Sequence, residues 1–201
     1  MNYISSYSII KNKGITKNGE LVFSLDENEK SLDDFLSEAY NAINPNYPKF
    51  YKMDHLAKLG FLATEVLLSN FSLEEYQNNI GVVLSNASAS LDNDQNYFNS
   101  TKNGASPALF VYTLPNIVAG EICIRHKLKG ENAFFVFEKF QPEFISAYVN
   151  QVLARGANAC IAGWTETIGE THDVFLYFAE KIKRENSLEH TKEIVEKIYH
   201  Q

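Results

Sequence analysis

Apolar positions recur along this chain at two spacings, every second residue and every third or fourth, and the switches between them predict an alternation of strands and helices. The first stretch, Tyr3, Ile4, Tyr7, Ile9 and Ile10 with Ser6 and Ser8 between, suits a strand covered on both faces. Lys17-Asn18-Gly19 then offers a hairpin turn before Leu21-Val22-Phe23. Ser31 followed by Asp34 opens a helix carrying Phe35, Leu36, Ala39 and Tyr40, which stops before Pro45. Beyond the proline-punctuated loop from Asn44 to Lys49, Asp54 caps a longer helix with Leu56, Leu59, Leu62, Ala63, Val66 and Leu67 inward. Ser72 and Glu75 repeat the capping pattern for a short helical turn, Ile80 to Leu84 is a buried strand, and Ser85 to Ser88 lead into a loop around Asp92-Asn93-Asp94.

The second part of the pattern is denser. Ser106 to Asn116 lead to a helix from about Ile117 to Lys127, closed by Gly130. Phe134, Phe135, Val136 and Phe137 form a short strand, the turn Glu138-Lys139-Phe140-Gln141 follows, and Pro142 starts a helix with Phe144, Ile145, Tyr148, Val149, Val152 and Leu153 on one face, ending at Gly156. Ala159 to Ala162 make the next buried strand, so the unit reads as a right-handed βαβ crossover whose two strands are parallel neighbours. In such units chemistry sits at the strand-to-helix turn, which lifts a side chain above the sheet beside a helix N-terminus. Val174 to Phe178 is a further strand, and a capped helix is expected from Ser187 to the end, with Leu188, Ile194, Val195, Ile198 and Tyr199 on one face.

The segment from Gly130 through Asn132 to Ala162-Gly163-Trp164-Thr165-Glu166 resembles the nucleophile region of β-ketoacyl synthases, the condensing enzymes of the thiolase-like fold, whose motif reads Gly-Pro-Asn, Thr-Ala-Cys-x-Ser-Gly, a helix, a Gly and Ala-Gly-Gly-x-Glu. Lys52-Met53-Asp54, the strand Ile80 to Leu84 and the segment Ser106 to Ile122 follow in that family's order, so the likeness spans most of Tyr51 to Glu166. The resemblance implies an α/β thiolase-like half-fold with a mixed, mostly parallel sheet and helices on both faces. Counted from Gly130, the family's cysteine falls on Lys139, flanked by Glu138 and Phe140. The resemblance therefore implies a synthase homologue without its nucleophile, a partner subunit like a chain length factor. It also implies dimerisation through Ala133 to Glu138, with Phe134, Phe135, Val136 and Phe137 at the interface. That strand could pair with a second copy in isolation and with a complete synthase in the cell. An acyl carrier protein could then dock on Arg125, Lys127 and Lys129. The family's two active-site histidines belong to a second half that has no counterpart here, and His172, His190 and His200 match neither motif and are expected at the surface. The alternatives are an acyltransferase or decarboxylase of altered chemistry using Lys139, or a stand-alone α/β binding domain.

Composition narrows these readings. The 201 residues, 45% hydrophobic, suffice for one sizeable core, and residues 1–201 are expected to form a single domain. A net charge of −7 argues against nucleic acid and anionic membrane surfaces. No apolar run approaches the roughly 20 residues of a bilayer span, and Met1-Asn2-Tyr3 opens no signal peptide, so a cytoplasmic location is expected. Cys123 and Cys160 are too few for a disulfide scaffold and read as small buried hydrophobes. No Asp, Glu or His spacing suggests a metal site and no Gly-rich loop a phosphate, so no cofactor is expected. Arg125 to Lys129 also has a plainer explanation, since cations suit a helix C-terminus.

Overall fold

Seven consecutive buried residues, Ile80–Asn86, form the strand β4, and this run without polar alternation takes an interior place in the sheet. The computed structural model describes residues 1–25 and 30–201. Before β4 come β1 (Tyr3–Lys11), β2 (Gly14–Lys17), β3 (Glu20–Ser24), α1 (Leu32–Ile43) and α2 (His55–Leu68); after it come α3 (Leu91–Ser100), α4 (Pro107–Val111) and α5 (Ile117–His126). The chain continues through β5 (Asn132–Val136), α6 (Pro142–Ala154), β6 (Ala159–Ile168), β7 (Thr171–Glu180), β8 (Leu188–Glu189) and α7 (Lys192–Tyr199). The sheet order is β3-β2-β1-β7-β6-β4-β5, with β8 also on β1. The fold is α/β, with helices on both faces of the sheet. Against one face pack Phe35 and Leu36 of α1, Leu59 and Leu62 of α2, and Val118 and Ile122 of α5; against the other pack Ile145 and Val149 of α6 and Val195 and Ile198 of α7.

Two details of the sheet differ from the expectation. Ala159–Ala162 and Phe134–Phe137 belong to parallel strands but are not neighbours, because β4 lies between them and pairs with both, Leu84 opposite Phe134 and Gly163. Among the described residues only β4 is buried on both faces along its whole length, whereas β5 leaves Val136 54% exposed and so goes to the edge. The sheet is also less parallel than expected: among the described residues only the β4–β5 and β4–β6 ladders are parallel. β7 runs against both of its long neighbours, and the β1–β2–β3 meander is antiparallel.

Local chemistry explains the elements. Ser31 and Asp34 close a capping box on α1, and Asn44 ends it in the left-handed conformation. Asn18-Gly19 makes the β2–β3 turn, and a preceding turn at Asn12-Lys13, both at positive φ, splits the meander. No side chain caps the 3-10 turn Leu73–Tyr76, so the Ser72 cap is not formed. Asp92 to Asp94 are the first turn of α3 rather than a loop; Asn93 is the only buried residue of that helix, which leaves no apolar period to read. The last helix is capped by Thr191, with Leu188 and Glu189 spent on a strand beside β1. Gly130 does not end a helix: Lys127 does, and a Cβ at Gly130 would lie 2.3 Å from the Ile80 carbonyl. Gly163, at φ +150, brings β6 so close to β7 that a Cβ would lie 1.9 Å from the Phe175 carbonyl.

Candidate functional site

The carboxyl ends of β4, β5 and β6 lie together, where ligands gather in open α/β sheets. Beyond β5 the backbone amide of Phe137 still donates to the Asn86 carbonyl at 2.9 Å. The chain then leaves the sheet, with Glu138 and Lys139 both exposed. Phe140 turns inward instead, its ring 4.7 Å from Tyr199, 5.7 Å from Phe175 and 6.0 Å from Trp164. Adjacent residues of an extended turn diverge, so the structure does not join Glu138 and Lys139 into a pair. Neither makes a side-chain hydrogen bond or ion pair among the described residues. Lys139 stands exposed ahead of α6.

The two thiols are elsewhere and inert. Cys160 is fully buried in β6, and burial pushes its thiol far above the usual range; Cys123, on α5, is also pushed up by burial. Only the thiolate is nucleophilic, so neither is suited to carry an acyl group.

Across from the turn, the loop after β4 is built by two side chains. Glu166 accepts from the amides of Ala87 at 2.5 Å and Ser88 at 3.0 Å, and Asn86 accepts from the Ala89 amide at 3.0 Å while donating to the Ala89 carbonyl at 2.8 Å. Glu166 is thus a loop anchor. Behind this loop, between the start of α2, α3, α4 and the β6–β7 turn, opens a cavity of about 390 Å3. Its wall includes Asp54, the N-cap of α2, whose carboxyl accepts from the Ala57 amide at 2.9 Å and is pushed up to about 6, burial outweighing that bond. Tyr112 lines the same cavity and donates to Glu121 at 3.1 Å; Glu121, 4% exposed, is held by Lys49 at 2.8 Å. Burial and these carboxylates raise the Tyr112 hydroxyl above its usual range.

The remaining candidates are dispersed. Arg125 grips Glu65 through Nε at 2.7 Å and Nη2 at 3.2 Å, donates to the Pro45 carbonyl at 2.7 Å, and stacks over Tyr47 at 5.1 Å. That fork ties α5 to α2 and to the loop before it. Lys127 and Lys129 are exposed. His200 is exposed, but His190 is a correction: it is buried between Asn150 and Tyr177 at 3.0 and 3.1 Å, and burial lowers it to about 4. His172, partly buried, is stacked on Phe35 at 5.5 Å. No group of three or more His, Cys, Asp or Glu among the described residues could hold a metal, and no helix there is long and apolar enough to cross a membrane. β5 pairs only with β4 among the described residues, leaving one edge open, and around it Val136, Phe144 and Ile124 are 54, 42 and 62% exposed.

This architecture has solved counterparts. The fold is the one seen in ketosynthase and chain length factor structures. The ishigamide ketosynthase/chain length factor superposes with a TM-score of 0.64 at 16% identity, over 90% of this chain and 62% of that one. The ketosynthase ApeO in complex with its chain length factor ApeC from Xenorhabdus doucetiae matches with a TM-score of 0.58 at 10% identity, over 90% of this chain and 79% of that one. The AntDE:AntF complex, a type II polyketide synthase acyl-carrier protein with its ketosynthase bound to the hexaketide, matches at 0.60 and 10% identity, over 89% and 62%. The chain thus spans less than two thirds of the length of two of these three. No family sequence profile matches the chain, and no curated protein matches it in sequence.

The cavity beside Asp54 escaped sequence reasoning. Its α3 wall carries polar residues with no period, and Tyr112 lies in a stretch read only as the approach to a helix. The one available signal was Asp54, an acid placed to cap a helix whose inward positions are otherwise almost all apolar.

Proposed function

We propose that this chain is a non-catalytic, chain-length-factor-like subunit that pairs with a complete ketosynthase in polyketide-type or fatty acid biosynthesis. The observation that carries the reading is the sheet itself, which has the fold of ketosynthase and chain length factor structures while the turn after β5 holds an exposed lysine and the two cysteines, Cys160 buried and Cys123 partly buried, lie on other elements. The open edge of β5, with its half-buried phenylalanines and exposed Val136, supports pairing there, because an uncovered apolar edge strand invites another strand. In isolation the same edge joins two copies about a two-fold axis. An acyl carrier protein meets the pair rather than this subunit alone; of the three basic residues, Lys127 and Lys129 are free to contact it, while Arg125 is committed to Glu65. Co-expression with a complete ketosynthase encoded nearby, followed by pull-down, tests the assignment. Co-purification at equal stoichiometry is expected, and a chain recovered only by itself would reject it.

A further inference from the structure

An asparagine followed by glycine carries a side-chain amide open to attack by its own backbone, since glycine puts no Cβ beside the next amide nitrogen. The chain holds two such pairs in the same local sequence, Lys17-Asn18-Gly19 and Lys102-Asn103-Gly104, with both asparagines exposed, and the fold treats them differently. Asn18 sits in the turn between the paired residues Lys17 and Glu20 of β2 and β3. Its side-chain oxygen accepts from the Tyr7 amide at 2.8 Å and its own backbone amide donates to the Tyr7 carbonyl at 2.9 Å, so side chain and backbone are both held against β1. Asn103 ends the short 3-10 helix Thr101–Asn103 in the loop from α3 to α4. Its side chain makes no hydrogen bond among the described residues, and Lys102 beside it donates to Asn99 instead, at 3.1 Å. The Ser106 amide donates to the Ser100 hydroxyl at 3.2 Å, which pins this loop at its ends and leaves its tip in solvent, where a Cβ added to Gly104 would meet nothing within 4 Å. A stretch with so few contacts opens locally at low cost.

We propose that Asn103 is a site of spontaneous modification, at which the chain converts its own amide to aspartate and isoaspartate while the fold protects Asn18. The Gly104 amide nitrogen attacks the Asn103 side-chain carbonyl carbon, its proton is lost as the new C–N bond closes a succinimide ring, and ammonia leaves. Water then opens the ring at either carbonyl. The sum is amide plus water giving carboxylate plus ammonium, without oxidant, reductant or enzyme. Each event adds a negative charge, and the isoaspartyl product also lengthens the backbone by a methylene. Both changes fall between Phe98 of α3 and Phe110 of α4, which are 68 and 59% exposed. The loop joining two exposed aromatic side chains thus acquires charge as the protein ages. β5 takes no part, so the site stands apart from pairing with a synthase.

The test is peptide mapping of the full, folded chain held in mildly alkaline, ammonia-free buffer made with heavy-oxygen water, followed by pepsin digestion in acid, where ring closure is suppressed. The amide of Asn103 is expected to be lost about tenfold or more faster than that of Asn18. Each new carboxylate should carry one heavy oxygen, and aspartyl and isoaspartyl peptides should both be present. In urea, where neither turn persists, the two rates are expected to converge. Gly104→Ala is expected to slow the loss at Asn103 by about tenfold or more, because a Cβ shields the attacking nitrogen, and to leave Asn18 as it was. Asn18 reacting as fast as Asn103 in the folded chain, rates that stay apart in urea, an aspartyl product alone, a rate at Asn103 unchanged by Gly104→Ala, or no loss at Asn103 in the time the unfolded chain needs would overturn the proposal.

Discussion

Glu180 ends β7 fully buried, and Arg184, four residues on, reaches back to it with Nε 2.7 Å from Oε1. The other carboxylate oxygen accepts from Tyr76 at 2.8 Å, and Ser5 of β1 donates to the same carboxylate, so one buried charge joins β1, β7 and the turn before β4. Breaking a buried pair leaves the remaining charge uncompensated. Arg184→Met is therefore expected to lower stability by about 2 kcal/mol, below the full cost of an orphaned charge because two hydroxyl donors remain. Urea unfolding measures it; an unchanged midpoint would mean that the hydroxyls suffice.

Incubation with an acyl-CoA or an acylated carrier protein is expected to leave the mass of the chain unchanged. Burial holds both thiols in their protonated form, and Lys139 lies in open solvent. Intact-mass spectrometry is the check: an adduct mapped to Cys123 or Cys160 contradicts the inert-thiol argument, and one on Lys139 would revive an altered acyl transfer.

At the open edge of β5, Val136→Lys is expected to convert a dimer of the isolated protein into a monomer without lowering its melting temperature. Charge on an edge strand blocks pairing, and Val136 is exposed, whereas Phe135 packs on Phe144 and Tyr148 and would report folding as well. Light scattering at micromolar concentration decides it, and a wild type already monomeric there would remove this strand as a self-association surface.

Asp54 gives stability a pH dependence of defined sign. Its folded carboxyl is raised from 3.8 to about 6, so between these values the folded state holds a proton that the unfolded chain has released, and stability falls as pH rises through that window. The loss approaches about 3 kcal/mol at most, two pKa units at 1.36 each. Paired carboxylates such as Glu65 slope the other way, so the measurable quantity is the wild type's stability minus that of Asp54→Asn. That difference should decline from about pH 4 to pH 6; a flat difference refutes the buried-acid argument.

Gly163→Ala is expected to cost more than about 2 kcal/mol, since a methyl would meet the Phe175 carbonyl at a backbone angle that side chains rarely adopt. Thermal unfolding tests it, with Gly120→Ala as the control, because a Cβ there meets nothing within 4 Å.

The sheet's strands were legible wherever hydrophobicity carried a period or a solid run, as in β4 and in Val174–Phe178, and so were the caps at Ser31 and Asp54, whose geometry is local. What escaped was pairing between distant strands. Nothing in Phe134–Phe137 or Ala159–Ala162 says that β4 separates them, because a ladder is chosen by the burial of all three strands at once. α3 was hidden for the opposite reason: a helix held by Asp92, Asn93 and Asp94 has no apolar face to announce it. The cavity beside Asp54 combines both difficulties, since its walls are polar and come from separate parts of the chain.

The pairing of β1 with β7 has a consequence for how the protein is made. Ser8 lies opposite Leu176 and Tyr3 opposite Glu180, so β1 leaves the ribosome long before the strand it pairs with. Until then β1, β2 and β3 form a meander with one flank unsatisfied, and contacts so distant in sequence close slowly. A nascent chain stalled before Thr171 lacks the strand that joins β1 to β6, and so holds two unconnected pieces of a sheet.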